Sequence, residues 1–75
     1  MTLEEFVEKF ADELSETPAE TVNAGTRYRE LKEWGSLVAL SILSMIDEEY
    51  DQMLTGATLR KFDTIEELYN YCESL

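Results

Sequence analysis

The side chain best suited to chemistry in this 75-residue chain is the hydroxyl of Ser36, at the start of an apolar helical run. Leucines follow it directly, and carboxylates follow further along. A serine nucleophile in a hydrolase needs an activating base and an oxyanion hole. The chain has no histidine, and Ser36 has no Gly-x-Ser-x-Gly context. We therefore predict an attachment point for a covalent group, with no catalytic residue and no enzymatic activity.

The acidic residues and the single cysteine do not predict a metal site. The richest acidic segment, Asp47–Asp51, places carboxylates at neighbouring helical positions, which cannot all face one ion. No segment matches an EF-hand loop. Cys72 cannot form an internal disulfide, and we expect it to be a small buried apolar group.

The charge balance excludes several classes of partner. Seventeen acidic residues against six basic ones give a net charge of −11, which repels nucleic acid and anionic lipid and attracts basic protein surfaces. The chain has no apolar stretch of about 20 residues, the length that spans a bilayer. Acidic residues at its start do not fit a signal peptide. We expect one cytoplasmic domain, residues 1–75, that is monomeric and binds neither membrane nor nucleic acid.

Hydrophobic spacing predicts an all-α fold with three main helices, one short helix and a long connection between the first and second. The first helix is predicted over residues 3–14, with a capping box formed by Thr2 and Glu5. The second is predicted over residues 36–50 with Ser36 as its N-cap. A short helix is predicted within residues 58–62, and Asp63 or Thr64 is expected to cap the last helix.

The second predicted helix has two distinct faces. Its core face carries Ala39, Ile42, Leu43, Ile46 and Tyr50, flanked by Val38 and Met45. Its opposite face is polar, with Ser41, Ser44, Asp47 and Glu48, but it also carries Leu37 and Leu40. Two leucines on a polar face close to Ser36 indicate a contact surface for partners, although single exposed leucines are common on any protein.

The connection over residues 15–35 has no sustained period. Thr17 with Glu20 could cap a brief helical turn, and residues 23–25 are typical of a turn. Four large apolar side chains are expected to tie this segment onto the core: Val22, Tyr28, Leu31 and Trp34.

Three segments resemble the acyl carrier protein family: Thr26–Leu40, Ile46–Tyr50 and Phe62–Leu68. The resemblance covers nearly the whole chain, including its length, its acidity and the long first connection, and it implies an acyl-carrier-like helical bundle. The family pattern is Asp-Ser-Leu, in which the serine carries 4′-phosphopantetheine and acyl groups are held as thioesters on the arm. Ser36 and Leu37 match this pattern, whereas Gly35 stands in place of the aspartate.

The resemblance also implies the partners. A phosphopantetheinyl transferase would attach the cofactor from coenzyme A, and a ligase, ketosynthase or acyltransferase with a basic surface would load or accept the acyl group. Their expected contacts are Gly35, Leu37, Leu40, Ser41, Ser44, Asp47 and Glu48. Because the acids of the second helix begin only at Asp47, a specialised carrier in fatty acid, polyketide or related synthesis fits better than a general one.

Two alternatives remain open at this stage. Gly35 offers transferases no negative charge, so the chain could be an acyl-carrier-like interaction or regulatory domain that is never modified, with Ser36 acting only as an N-cap. A peptidyl carrier is the third interpretation, which the Trp34-Gly35 pair fits poorly.

Overall fold

The computed structural model describes all residues, Met1–Leu75, as a four-helix structure without strands. The helices are α1 (Leu3–Asp12), α2 (Ser36–Tyr50), α3 (Gly56–Leu59) and α4 (Ile65–Glu73), and two 3-10 turns, Ala19–Thr21 and Tyr28–Glu30, lie between α1 and α2. Arg27 and Thr64 form a single isolated antiparallel β-bridge. The prediction of three main helices and one short helix in an all-α fold is confirmed.

Both capping boxes predicted from the sequence are present. The Thr2 hydroxyl accepts a 3.1 Å bond from the Glu5 N–H, and the Glu5 carboxylate accepts a 2.8 Å bond from the Thr2 N–H. At α4 the cap is Thr64, which forms the same reciprocal pair with Glu67. The Glu67 carboxylate also accepts a 2.7 Å bond from the Asp63 N–H, so Asp63 extends the cap without occupying the cap position.

Two helix boundaries differ from the prediction. α1 ends at Asp12 because its last turn tightens, with the Glu13 N–H bonded to the Phe10 carbonyl oxygen at 3.1 Å, although Leu14 beyond it remains buried. α3 begins at Gly56, earlier than predicted, and closes where the Arg60 N–H bonds to the Gly56 carbonyl oxygen. Phe62 therefore lies outside the helix, where it packs against Tyr71.

The core is entirely apolar and lies between α1, α2, α4 and the long connection. Its fully buried side chains are Phe6, Phe10, Tyr28, Ile42, Ile46, Leu59, Ile65, Leu68 and Cys72. Aromatic rings continue from α1 into the connection, with Phe10 and Tyr28 at 5.6 Å between ring centroids and Tyr28 and Trp34 at 5.1 Å. The start of α2 is thus attached to the core through Trp34.

All four apolar side chains predicted to tie down the connection pack on the core. Val22 and Tyr28 are buried, and Leu31 and Trp34 are half-buried. The turn predicted at residues 23–25 also forms, because the Asn23 side chain accepts a 2.8 Å bond from the Gly25 N–H.

Glu33 closes the connection in a way that the sequence did not predict. Its carboxylate accepts bonds of 3.0 Å from the N–H groups of Ser15 and Glu16 and of 2.5 Å from the Thr17 hydroxyl. Thr17 therefore does not cap a helical turn; Pro18 precedes the 3-10 turn there without any side-chain cap. The segment just before α2 is held against the segment just after α1.

None of the four helices is both long enough and apolar enough to cross a bilayer.

Candidate functional site

Ser36 is the first residue of α2, and its side chain is solvent-exposed. The prediction that it is the N-cap is wrong: Gly35 occupies that position, in extended backbone with φ −177° and ψ −172°, and its carbonyl oxygen accepts a 2.9 Å bond from the Ala39 N–H. A turn precedes Gly35, closed by a 3.0 Å bond from the Trp34 N–H to the Leu31 carbonyl oxygen, and α2 begins at Ser36 as predicted. The Ser36 hydroxyl makes no hydrogen bond within the protein.

At the start of α2, the amide N–H groups of residues 36–38 have no hydrogen-bond acceptor in the protein, and no side chain caps the helix. Together with the helix dipole, such groups favour negative charge beside them.

Beside Ser36 lies a cleft between α2 and α3, which we call the Ser36 cleft. Its volume is about 300 Å³, and it is lined by Arg29, Trp34, Gly35, Ser36, Ala39, Gly56, Leu59 and Arg60. An adjoining cavity of about 290 Å³ shares four of these residues and adds Leu40 and Leu43. Neither is lined by an acidic residue, although the chain has 17 of them.

Two arginines give the Ser36 cleft a local positive charge. The Arg29 guanidinium donates through Nη2 to the Asp63 carboxylate at 2.8 Å and through Nε to the Phe62 carbonyl oxygen at 3.1 Å. Arg60 has no carboxylate within ion-pair distance. Neither arginine was predicted from the sequence. The sequence signal that could have indicated them is the small number of basic residues, six in 75.

The outer face of α2 carries most of the predicted contact residues. The exposed fractions of Leu37 and Leu40 are 82% and 60%. Ser44, Asp47 and Glu48 are exposed as well, whereas Ser41 is half-buried.

Sequence reasoning missed Met53, which extends this exposed face. Its exposed fraction is 88%, and it lines a cavity of about 210 Å³ together with Leu40, Leu43, Ser44, Asp47 and Leu54. A methionine in a polar loop was the available signal. Leu37, Leu40 and Met53 together form the exposed apolar surface next to the acids of α2.

Nowhere do three potential metal ligands come together. Cys72 is buried as predicted, and burial raises the pKa of its thiol to about 11, so the unreactive thiol form dominates at neutral pH.

The residues present fit a phosphodiester-linked group on Ser36. The hydroxyl is exposed and free of protein hydrogen bonds, unpaired N–H groups lie beside it, and the adjacent cleft contains arginines and no acid. A phosphodiester is anionic, and each of these features favours an anion.

Comparison with known proteins adds no relative to this picture. No protein-family model, curated protein or solved structure matches the chain. The family resemblance therefore stays a prediction that rests on the residues quoted above.

Proposed function

We propose that this chain is a carrier protein that holds acyl groups as thioesters on a 4′-phosphopantetheine arm joined to the Ser36 Oγ. The observation that carries the proposal is the placement of Ser36: an exposed hydroxyl without a protein hydrogen bond, on the first residue of α2, beside an acid-free cleft. The resemblance of Thr26–Leu40 to the modification site of acyl carrier proteins supports it.

Each part of the site has a role in this function. Ser36 anchors the arm, and when bound, the arm supplies the thiol on which acyl groups are carried. The open N–H groups of residues 36–38 lie where they can stabilise the negative charge of the linkage. The chain itself performs no bond-forming step, so the chemistry belongs to the enzymes that load and unload it.

The partners follow from the exposed surface of α2. A phosphopantetheinyl transferase and acyl-loading or acyl-accepting enzymes would contact Leu37 and Leu40, while Asp47 and Glu48 steer their basic surfaces. Because the first turn of α2 has no acidic residue, we propose a specialised carrier in fatty acid, polyketide or related synthesis. The lone free cysteine fits a reducing, cytoplasmic setting.

The test is the intact mass of the protein after incubation with coenzyme A, Mg²⁺ and a broad-specificity phosphopantetheinyl transferase. We expect the parent to gain one phosphopantetheine group and Ser36→Ala to gain none. An unmodified parent, together with full modification of Gly35→Asp, would overturn the proposal and favour the unmodified interaction domain.

The alternative function, an interaction domain that is never modified, requires that Ser36 caps α2. Here Gly35 holds that position, and the Ser36 hydroxyl bonds to nothing in the protein. We therefore expect Ser36→Ala to change the free energy of unfolding by less than about 0.5 kcal/mol, as for other exposed sites.

A further inference from the structure

We propose that Arg29 and Arg60 form an anion subsite of the Ser36 cleft, which holds a phosphate ester on the Ser36 Oγ against the protein. Insofar as the ester is that of the carrier arm, this inference rests on the proposed function. It also stands on charges and contacts that do not depend on the identity of the attached group.

The charges of this chain are distributed unevenly around the Ser36 cleft. The chain has six basic residues, and two of them line one cleft of about 300 Å³ together with Ser36. No acidic residue lines that cleft or the cavity adjoining it. In a chain of net charge −11, an anion would meet repulsion over most of the surface, and this cleft is a local exception.

The Arg60 guanidinium forms no ion pair in the protein. Lys9, Arg27 and Arg29 each lie within ion-pair distance of a carboxylate, whereas Arg60 has none. Its guanidinium lies over Gly56: a Cβ on that glycine would be 3.5 Å from Arg60 Nη1. The side chain thus folds back along α3 into the cleft that contains Ser36.

Arg29 is held in place by part of its guanidinium only. Its bonds to Asp63 and to the Phe62 carbonyl oxygen employ two of its three nitrogen atoms, Nε and Nη2. A guanidinium has five N–H donors in a planar fork that suits phosphate oxygens. Because Asp63 offsets part of the charge of Arg29, we assign the larger effect to Arg60.

The experiment installs phosphoserine in place of Ser36 during translation of the full chain and follows its phosphate by ³¹P NMR through a pH titration. The second pKa of a phosphomonoester is about 6, and a nearby arginine lowers it by favouring the dianion. We expect Arg60→Gln to raise this pKa by about 0.5 or more, and Arg29→Gln to raise it by less.

Lys61→Gln is the matched control, because it removes the same charge from the next residue, which is exposed and does not line the cleft. We expect it to raise the phosphate pKa by less than a third of the Arg60→Gln shift, because the Lys61 side chain is exposed to water and does not line the cleft, so its charge is more strongly screened. Equal shifts in the two variants would overturn the subsite. A circular dichroism spectrum unchanged from the parent confirms that each variant is folded.

The titration and the mass experiment fail independently. Phosphoserine is present whether or not a transferase accepts the chain. A parent that gains no arm while Gly35→Asp gains one, but that shows the Arg60 effect, would retain the subsite and overturn the carrier function. A parent that gains the arm but shows equal shifts in Arg60→Gln and Lys61→Gln would retain the carrier function and overturn the subsite.

Discussion

The Tyr28 hydroxyl donates a hydrogen bond of 2.5 Å to the backbone carbonyl oxygen of Leu59, joining the long connection to the last residue of α3. Each partner immediately precedes one of the two arginines of the Ser36 cleft. Because Tyr28 is fully buried between Phe10 and Trp34, this bond sets the position of α3 relative to the segment that leads into α2. The walls of the cleft therefore depend on a buried hydrogen bond to Leu59, one of the residues that line it.

The first prediction concerns this hydrogen bond. Tyr28→Phe keeps the ring packing but leaves the Leu59 carbonyl oxygen without its buried donor, which costs about 1–3 kcal/mol. We expect urea unfolding at pH 7 to show a loss of stability in this range. Burial raises the Tyr28 pKa to about 12, so the hydroxyl stays a donor throughout the neutral range.

Tyr71→Phe is the matched control for that measurement, because the Tyr71 hydroxyl bonds to no protein group and the ring is only half-buried. We expect it to change the free energy of unfolding by less than about 0.5 kcal/mol. An equal loss in both variants would show that the Tyr28–Leu59 bond contributes nothing specific.

The second prediction concerns the N-cap of α2. Gly35 has an extended backbone that any residue adopts, and a Cβ there would meet no atom within 4 Å. Gly35→Asp therefore fits without strain and supplies both a capping oxygen and a negative charge at the positive end of the helix. We expect it to raise the free energy of unfolding by about 0.5–1 kcal/mol at pH 7, measured by urea unfolding.

Gly35→Ala distinguishes the effect of a capping oxygen on stability from the effect of removing the flexibility of glycine. Alanine restricts the unfolded chain as aspartate does, but it has no oxygen to accept the open N–H groups. We expect this variant to be less stable than Gly35→Asp. Equal stability of the two would contradict the capping role.

Local signals explain which parts of the fold could be predicted. Thr2 with Glu5 and Thr64 with Glu67 stand three residues apart and form their caps by contacts within one turn, so sequence spacing is sufficient. The bounds of α2 were predicted as observed, but its cap was not, because serine usually caps helices, whereas Gly35 holds the cap position here.

The Ser36 cleft could be predicted only in part. Ser36 itself stands out because a hydroxyl precedes an apolar run. Arg29 and Arg60 come near it only through packing of the connection and α3 on the core, and spacing along the chain carries no such information. Glu33 was missed for the same reason, since its partners at residues 15–17 are distant in sequence.

The third prediction concerns acid stability through Glu33. The hydrogen bond from the Thr17 hydroxyl, with further help from backbone N–H groups, holds the pKa of the Glu33 carboxyl below its usual value. A carboxylate with a lowered folded-state pKa stabilises the fold above its unfolded pKa of about 4.3, and this stabilisation is lost as the pH falls through the folded pKa. We therefore expect Glu33→Gln to be less stable than the parent at pH 6, with the difference in free energy of unfolding narrowing as the pH falls below about 4.3.

The same titration of Glu20→Gln supplies the control, because Glu20 is exposed and its carboxylate accepts no hydrogen bond in the protein. The difference in free energy of unfolding between Glu20→Gln and the parent should be small and should follow only the change in overall charge. A Glu33→Gln difference that stays constant from pH 6 to pH 3 would contradict the proposed role of the carboxylate.

The fourth prediction distinguishes the role of the exposed leucines of α2 from that of its core residues. Leu37 and Leu40 are exposed, so Leu37→Ala and Leu40→Ala should change the free energy of unfolding by less than about 0.5 kcal/mol. If they contact the transferase, the initial rate of phosphopantetheine attachment should fall several-fold, because a few residues carry most of the binding energy of such interfaces.

Ile46→Ala, on the same helix, should show the reverse pattern in the same two measurements. Ile46 is fully buried in the core, so its truncation should cost about 2 kcal/mol or more in urea unfolding. Attachment to the folded variant should stay near the parent rate at a temperature where the variant remains folded, because Ile46 lines neither the Ser36 cleft nor the cavities beside it. Unchanged attachment in Leu37→Ala and Leu40→Ala would mean that the transferase approaches Ser36 without using the leucines of α2, and the exposed apolar surface would then have to serve a different partner.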